Sequence, residues 1–217
     1  MEIKACIFDL DGVIVDTAKY HFIAWREIAR ELGFDFTEAH NERLKGVSRM
    51  RSLEILLEVG GIILDQKAKE FLAEKKNNDY LKYVLQMTPD EILPRAKDFI
   101  EELRHLQIKI AIGSASKNAM TILNRLQITH LFDTVIDGNK VTKAKPDPEI
   151  FLKGAQELSI PPANCVVFED AEAGIEAAIA ANMKCVGIGS PQNLVKANLV
   201  IPGFEKFSFR KMNELLK

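Results

Sequence analysis

The stretch Ile3-Lys4-Ala5-Cys6-Ile7-Phe8-Asp9-Leu10-Asp11-Gly12 decides how the rest of this chain is read. Ala5–Phe8 are apolar at consecutive rather than alternate positions, the pattern of a strand buried on both faces. Two carboxylates then break the run. Residues two apart on extended backbone point the same way, so Asp9 and Asp11 can converge at the strand's carboxyl end. Gly12 lets the chain turn away with no side chain over that spot. Taken alone, such a pair reads equally well as a solvated turn, and the choice depends on what surrounds it.

Outward from this stretch, Ile108–Gly113, Val135–Ile136, Cys165–Phe168 and Lys184–Ile188 read as further short strands. Helical patterns follow at Ala96–Leu106, Asn118–Leu126, Pro148–Leu158 and Ala171–Ala181. This rhythm predicts an α/β fold, a Rossmann-like parallel sheet with helices on both faces and its ligands at the carboxyl ends of the strands. One interval breaks it. Between the first strand and Ile108 the patterns are helical: Phe22, Trp25, Ile28, Ala29 and Leu32 recur at helical spacing behind Thr17 as N-cap, Leu53, Ile55, Leu56 and Leu57 form a second set closed by Gly60-Gly61, and Asp65–Gln86 a longer one. The expectation is an all-helical cap domain at 15–87 inserted into a core made of 1–14 and 88–217. The alternative is that these helices pack directly on the sheet.

The 217 residues carry 29 Lys+Arg against 31 Asp+Glu, a net charge of −2. A protein that lives on nucleic acid or anionic membrane needs a large basic excess, so neither partner is expected. Cys6, Cys165 and Cys185 each sit in an apolar run and fit no zinc spacing; buried reduced thiols in the cytoplasm are expected. Asp9 and Asp11 interrupt the first apolar stretch too early for a secretory signal, and no window approaches a membrane span. With no obligate interface apparent, a monomer is the default.

The other strand ends add chemistry. Gly113-Ser114-Ala115-Ser116-Lys117-Asn118 offers a hydroxyl and successive N–H groups ahead of a helix, a natural anion site, although Ser116 or Asn118 could simply be the helix cap. Lys143-Ala144-Lys145-Pro146-Asp147-Pro148 holds Lys145 in a loop stiffened by prolines. Cys165–Phe168 runs into Glu169-Asp170. Four carboxylates brought together repel one another unless a cation joins them, and an oxygen-only ligand set selects a hard ion such as Mg²⁺. The lysine and hydroxyl would then face the anion the metal also binds. A phosphoryl group meets all of these demands.

Asp9-Leu10-Asp11-Gly12-Val13, Ser114, Lys145-Pro146 and Glu169-Asp170 occur in order, each at a strand end, and resemble the four motifs of the haloacid dehalogenase superfamily. The helical insert narrows the match. Thr17, His21, Trp25, Leu44-Lys45-Gly46-Val47-Ser48-Arg49, Ser52 and Lys76-Asn77, together with Ser114-Ala115-Ser116-Lys117-Asn118, are similar to the superfamily's hexose-phosphate mutases. Ala171 departs from the pattern, which usually has a serine after the acidic pair.

The resemblance implies Asp9 as nucleophile, forming an aspartyl phosphate, and Asp11 as general acid and base. It implies Mg²⁺ held by Asp9, the Asp11 carbonyl, Glu169 or its water, and Asp170, with Ser114, the Ala115 N–H and Lys145 on the transferring phosphoryl oxygens. Arg49 would grip a second, non-reacting phosphate with its planar fork, helped by Lys117 and Asn118. Thr17, His21, Trp25, Lys45, Gly46, Val47, Ser48, Ser52, Lys76 and Ser116 would line the rest of the sugar-phosphate site, His21 coupling closure to Asp11. The implied reaction interconverts β-D-glucose 1-phosphate and glucose 6-phosphate through β-glucose 1,6-bisphosphate. A Mg-dependent sugar-phosphate phosphatase shares the core motifs, and a silent phosphosugar-binding protein would keep the fold; the presence of both Asp9 and Asp11 weighs against the second.

Overall fold

The structure is a computed structural model describing residues 2–44 and 46–216. Lys45, expected in the substrate site, lies outside the described residues. Six strands, β1 (Ala5–Phe8), β2 (Lys109–Gly113), β3 (Thr134–Ile136), β4 (Cys165–Glu169), β5 (Lys184–Ile188) and β6 (Leu199–Ile201), form one sheet among the described residues, ordered β3-β2-β1-β4-β5-β6. Every pairing between neighbours is parallel. Phe8 stands level with Ile112 on one side and Phe168 on the other, so the residues that follow β1, β2 and β4 emerge together at one edge. The chain leaves β1 towards β2 and β3, then returns to its other side for β4, and loops that part in this way open a crevice at the carboxyl end of β1.

Both sheet faces are covered. One layer centres on Phe8, which stacks on Phe168 with ring centroids 4.5 Å apart and meets Phe99 edge-on at 6.3 Å. Phe99 belongs to α5 (Ala96–His105), whose apolar stripe of Phe99, Ile100 and Leu103 is buried. Truncating Phe8 to alanine would cost roughly 3–5 kcal/mol, the usual loss for a fully buried aromatic. The other layer sets Ile7 and Val167 against Phe151 of α7 (Glu149–Leu158) and Ile175 of α8 (Glu172–Ala180). Cys6, Cys165 and Cys185 are free and buried in these layers, and burial pushes the Cys165 thiol up to about 11.

Between β1 and β2 the chain forms α1 (Ala18–Glu31), α2 (Glu38–Glu42), α3 (Arg49–Gly60) and α4 (Gln66–Val84). Trp25, Ile28, Phe36, Leu53, Leu56 and Ala73 build a cluster of their own there, while Ala24, Tyr80 and Val84 join the sheet's layer. The outgoing and returning segments run side by side: Leu93 N–H donates to the Ile14 carbonyl at 2.8 Å, and Val15 bridges Ile92. The expected cap on α1 needs correction. Thr17 occupies the N-cap position, but its hydroxyl makes no cap bond and is spent on Asp11 instead. Likewise Asn118, at the N-cap position of α6 (Ala119–Arg125), makes no side-chain cap. Helix α9 (Phe209–Leu215) closes the fold. Among the described residues no helix is long and apolar enough to cross a membrane.

Candidate active site

A cleft of about 1260 Å³ lies between the carboxyl edge of the sheet and helices α1, α3 and α4. Asp9 sits on its floor, its N–H still in the β ladder to the Phe168 carbonyl at 2.9 Å. The buried Lys145 ammonium lies 2.5 Å from Asp9 Oδ1 and also pairs with Glu169. Burial by itself works against its charge, but the two carboxylates outweigh it and hold the lysine above its ordinary range. Its Nζ also stands 4.9 Å above the Phe151 ring. Glu169 is fully buried, which pushes its carboxyl up, and Lys145 and the Ala171 N–H, donating at 3.0 Å, oppose that.

Among the described residues no three acidic, histidine or cysteine side chains already converge as a ligand group. Lys145 balances Asp9 and Glu169, because a buried ammonium must be paired and these are its neighbours. The carboxylates at these strand ends suit a hard ion. The donors at the β1 and β4 ends are oxygens only, and Gly12, at φ +80°, leaves room for Asp170: a Cβ there would lie 2.1 Å from Asp170 Oδ2.

Asp11 accepts from the Thr17 hydroxyl, with its carboxyl turned towards the start of α1. Burial, and after it the neighbouring charge of Asp9, push it up to about 7, against the pull of Thr17, Lys145 and Lys76. At neutral pH it is therefore poised between acid and base. After β2, Ser114 is buried, and its oxygen accepts from the Ser116 N–H at 3.1 Å while Ser116 Oγ accepts from the Asn118 N–H at 3.2 Å. These local bonds shape the turn and leave the Ser114 O–H itself as a donor. Ala115, Ser116, Lys117 and Asn118 line the cleft.

On the helical side, Lys76 is buried with Nζ 2.7 Å from His21 Nδ1 and 4.7 Å from the ring centres of both Trp25 and Tyr80. Burial, reinforced by Arg49, lowers the Lys76 amine well below the ordinary lysine range, and Asp11 opposes this. His21 is held well below its usual value by burial and by the Lys76 and Arg49 charges, so it is neutral. Arg49 opens α3, and Ser48 caps that helix by accepting from the Arg51 N–H at 3.3 Å. Val47 and Ser52 belong to the same wall, Ser52 buried. Gly46 turns at φ +71° so tightly against the core that a Cβ would come within 2.9 Å of the Ala171 methyl.

Asn77 is a member of this site to which its sequence gave no role. Its Oδ1 accepts from Arg49 Nη2 at 2.7 Å and from Asn118 Nδ2 at 2.9 Å, so one oxygen ties the helical side to the core rim. Its place directly after Lys76 was the available signal. His40 serves α2 instead, accepting from the Thr37 N–H at 3.2 Å, and Arg51 pairs with Glu54 and Glu58 on the surface.

A parallel sheet in this order, an aspartate at the carboxyl end of β1 backed by a buried lysine, and a helical insert over the cleft define a class. The chain belongs to the haloacid dehalogenase-like hydrolase family, whose sequence pattern matches residues 3–182. It is 45% identical over 200 residues to the β-phosphoglucomutase of Bacillus subtilis (strain 168), covering 91% of this chain and 88% of that protein. The fold superposes on the solved β-phosphoglucomutase of Clostridium difficile with a TM-score of 0.95 at 44% identity, over 99% of this chain and 97% of the other. It is also 34% identical over 183 residues to the phosphorylated carbohydrates phosphatase of Thermotoga maritima, covering 83% and 82% of the two chains.

Proposed function

We propose that this chain is an isomerase that interconverts β-D-glucose 1-phosphate and glucose 6-phosphate through β-glucose 1,6-bisphosphate, with residues 15–87 acting as a cap over a core of 1–14 and 88–217. The observation that carries the reading is the pairing of Arg49 and Asn118 on the single oxygen of Asn77, in the cleft that Asp9 also lines. Chemistry at Asp9 alone would serve a phosphatase equally well. A cationic clamp across the cleft suits a substrate with phosphate at both ends.

From the aspartyl phosphate left by the priming bisphosphate, the C6 hydroxyl of β-glucose 1-phosphate gives its proton to Asp11 as its oxygen attacks phosphorus, which restores the Asp9 carboxylate and forms the 1,6-bisphosphate. The bisphosphate then exchanges ends. Asp9 attacks the C1 phosphorus, the bond from phosphorus to the C1 oxygen breaks, and that oxygen takes its proton from Asp11, which releases glucose 6-phosphate and re-forms the aspartyl phosphate. Lys145, the Ser114 hydroxyl and the Ala115 N–H receive the charge spread over the phosphoryl oxygens. Mg²⁺, held by Asp9, the Asp11 carbonyl, Asp170 and Glu169 or its water, would supply further neutralisation of that charge. Lys76, its Nζ against the neutral His21 ring, faces Asp11 from the helical side, and Thr17 holds the Asp11 carboxyl until the cap closes. Small-molecule sugar phosphates are thus the partners, and we take the chain to work as a monomer in the cytoplasm, where its free thiols stay reduced.

The test is conversion of β-glucose 1-phosphate followed by coupled oxidation of glucose 6-phosphate, with and without a trace of the bisphosphate. Strong activation by the trace supports the cycle. Release of inorganic phosphate with no glucose 6-phosphate formed would replace it with the phosphatase reading.

A further inference from the structure

The loop carrying Lys145 is exposed at Thr142, Lys143, Ala144 and Pro146, and Lys145 is its buried member. Exposed loops of this sort are ordinarily the least restrained part of a fold. This one is tied down by a side chain that lies outside the cleft. Glu149, the first residue of α7, turns Oε2 back onto the loop, where it accepts from the Thr142 N–H at 3.0 Å, the Thr142 hydroxyl at 2.9 Å and the Lys143 N–H at 2.8 Å. Its other oxygen pairs with Lys153 one helical turn on, at 2.8 Å. Asp147 completes the knot: it accepts from the Glu149 N–H at 3.0 Å, its Oδ2 pairs with Lys143 at 3.3 Å, and its own N–H donates to the Ala144 carbonyl at 3.0 Å.

A carboxylate at the start of a helix serves the helix dipole in many orientations. Glu149 uses one oxygen wholly on the two residues that lead into Lys145. The Lys153 partner, then the Lys143 and Thr142 donors, hold its carboxyl at about 2, so the anchor is ionised wherever the chain is folded near neutrality. Thr142, Lys143, Ala144 and Lys145 line the cleft and Glu149 does not. We propose that Glu149 is a positioning residue: it fixes the loop so that Lys145 Nζ meets Asp9 and Glu169 where phosphoryl charge develops. The role rests on the reading of Lys145 given above.

The test is a double-mutant cycle on the full chain, with kcat and KM for β-glucose 1-phosphate and thermal melts of E149A, E149Q, K145A and K145A/E149A. Displacing a catalytic ammonium by about 1 Å can cost up to about 10²-fold. E149A is expected to lower kcat roughly 30-fold with little change in KM, and to melt within about 3 °C of wild type, as expected for loss of surface bonds. E149Q, whose amide oxygen can still accept from the loop, should recover to within about fivefold. In the K145A background, E149A should change kcat by less than about twofold, because the group being positioned is gone. A full E149A loss on top of K145A, or an E149A kcat equal to wild type, would overturn the positioning role alone. A K145A protein as active as wild type would overturn the reading of Lys145, and Glu149's role with it. If E149A fails to fold, the cycle runs with E149Q: a loss confined to the Lys145 background supports the role, and an equal loss in both, or none, refutes it.

Discussion

Replacing Arg49 with alanine separates the two halves of the cleft. The guanidinium is half-buried, and burial lowers its affinity for its proton, so it sits where solvent screens it less than at the surface. Among the described residues its hydrogen bond is to Asn77 Oδ1, which also accepts from Asn118. The substitution therefore leaves no buried acceptor without a donor, and the melting temperature should fall little. A charge-assisted hydrogen bond is worth about 1.5–3 kcal/mol, and a planar fork can offer two to one phosphate. Part of this is recovered by water and by Asn118, so a loss of about 3 kcal/mol is expected, or ~10²-fold in isomerisation. The assay compares isomerisation of β-glucose 1-phosphate with phosphate release from phenyl phosphate, which has no second phosphate to clamp. The second rate should stay within about threefold of wild type. Equal losses in both reactions would refute the clamp.

Asp9→Asn should fold, since Lys145 keeps Glu169 as partner, yet lose at least ~10⁴-fold in activity, about 5 kcal/mol of barrier, because an amide cannot form the acyl phosphate. Acid-quenched labelling should find phosphate on wild type and none on the variant. Chelation should abolish turnover, with Mg²⁺ but not Zn²⁺ restoring it, since the donors at the strand ends are all oxygen; full activity in a metal-free preparation would contradict the site. His21 is neutral because of burial, Lys76 and Arg49, and its folded value lies below the unfolded one. The unfolded chain then binds the extra proton first, so the stability His21 contributes is present above about 6.5 and is lost as pH falls below it, by up to about 1.4 kcal/mol per unit. His21→Gln should flatten the fall in melting temperature between pH 7 and pH 5.5; an unchanged slope would count against a neutral buried imidazole.

β1, β2, β4 and β5 were legible as mainly apolar runs of four or five residues, and the three-residue β3 as Val135-Ile136 within the strand–helix rhythm. β6, Leu199–Ile201, is as short as β3, and no helical pattern beside it placed it in that rhythm. α2 and α9 are likewise only five and seven residues long. Asp9, Asp11, Ser114, Lys145 and Asp170 could be placed by position alone, since parallel strands in register bring their ends together. Partner choice could not. Thr17 had the residue type of a cap and went to Asp11, and the pairing of Lys145 with Glu169 as well as Asp9 had no signal in the sequence. Both outcomes depend on which donor three-dimensional packing brings nearest to a buried charge. Asn77 was part of the resemblance, but its bridging role was hidden for the same reason, as its two partners are 28 and 41 residues away in the chain.

The central claim is that phosphate captured at Asp9 returns to sugar rather than to water. Phosphorus NMR of the wild-type chain with β-glucose 1-phosphate, Mg²⁺ and a trace of β-glucose 1,6-bisphosphate measures that partition in one tube. The glucose 6-phosphate resonance should grow as the 1-phosphate falls, with the bisphosphate level held and inorganic phosphate at least ~10²-fold slower to appear, as a water-excluding closed cleft requires. Inorganic phosphate rising as fast as glucose 6-phosphate would contradict it.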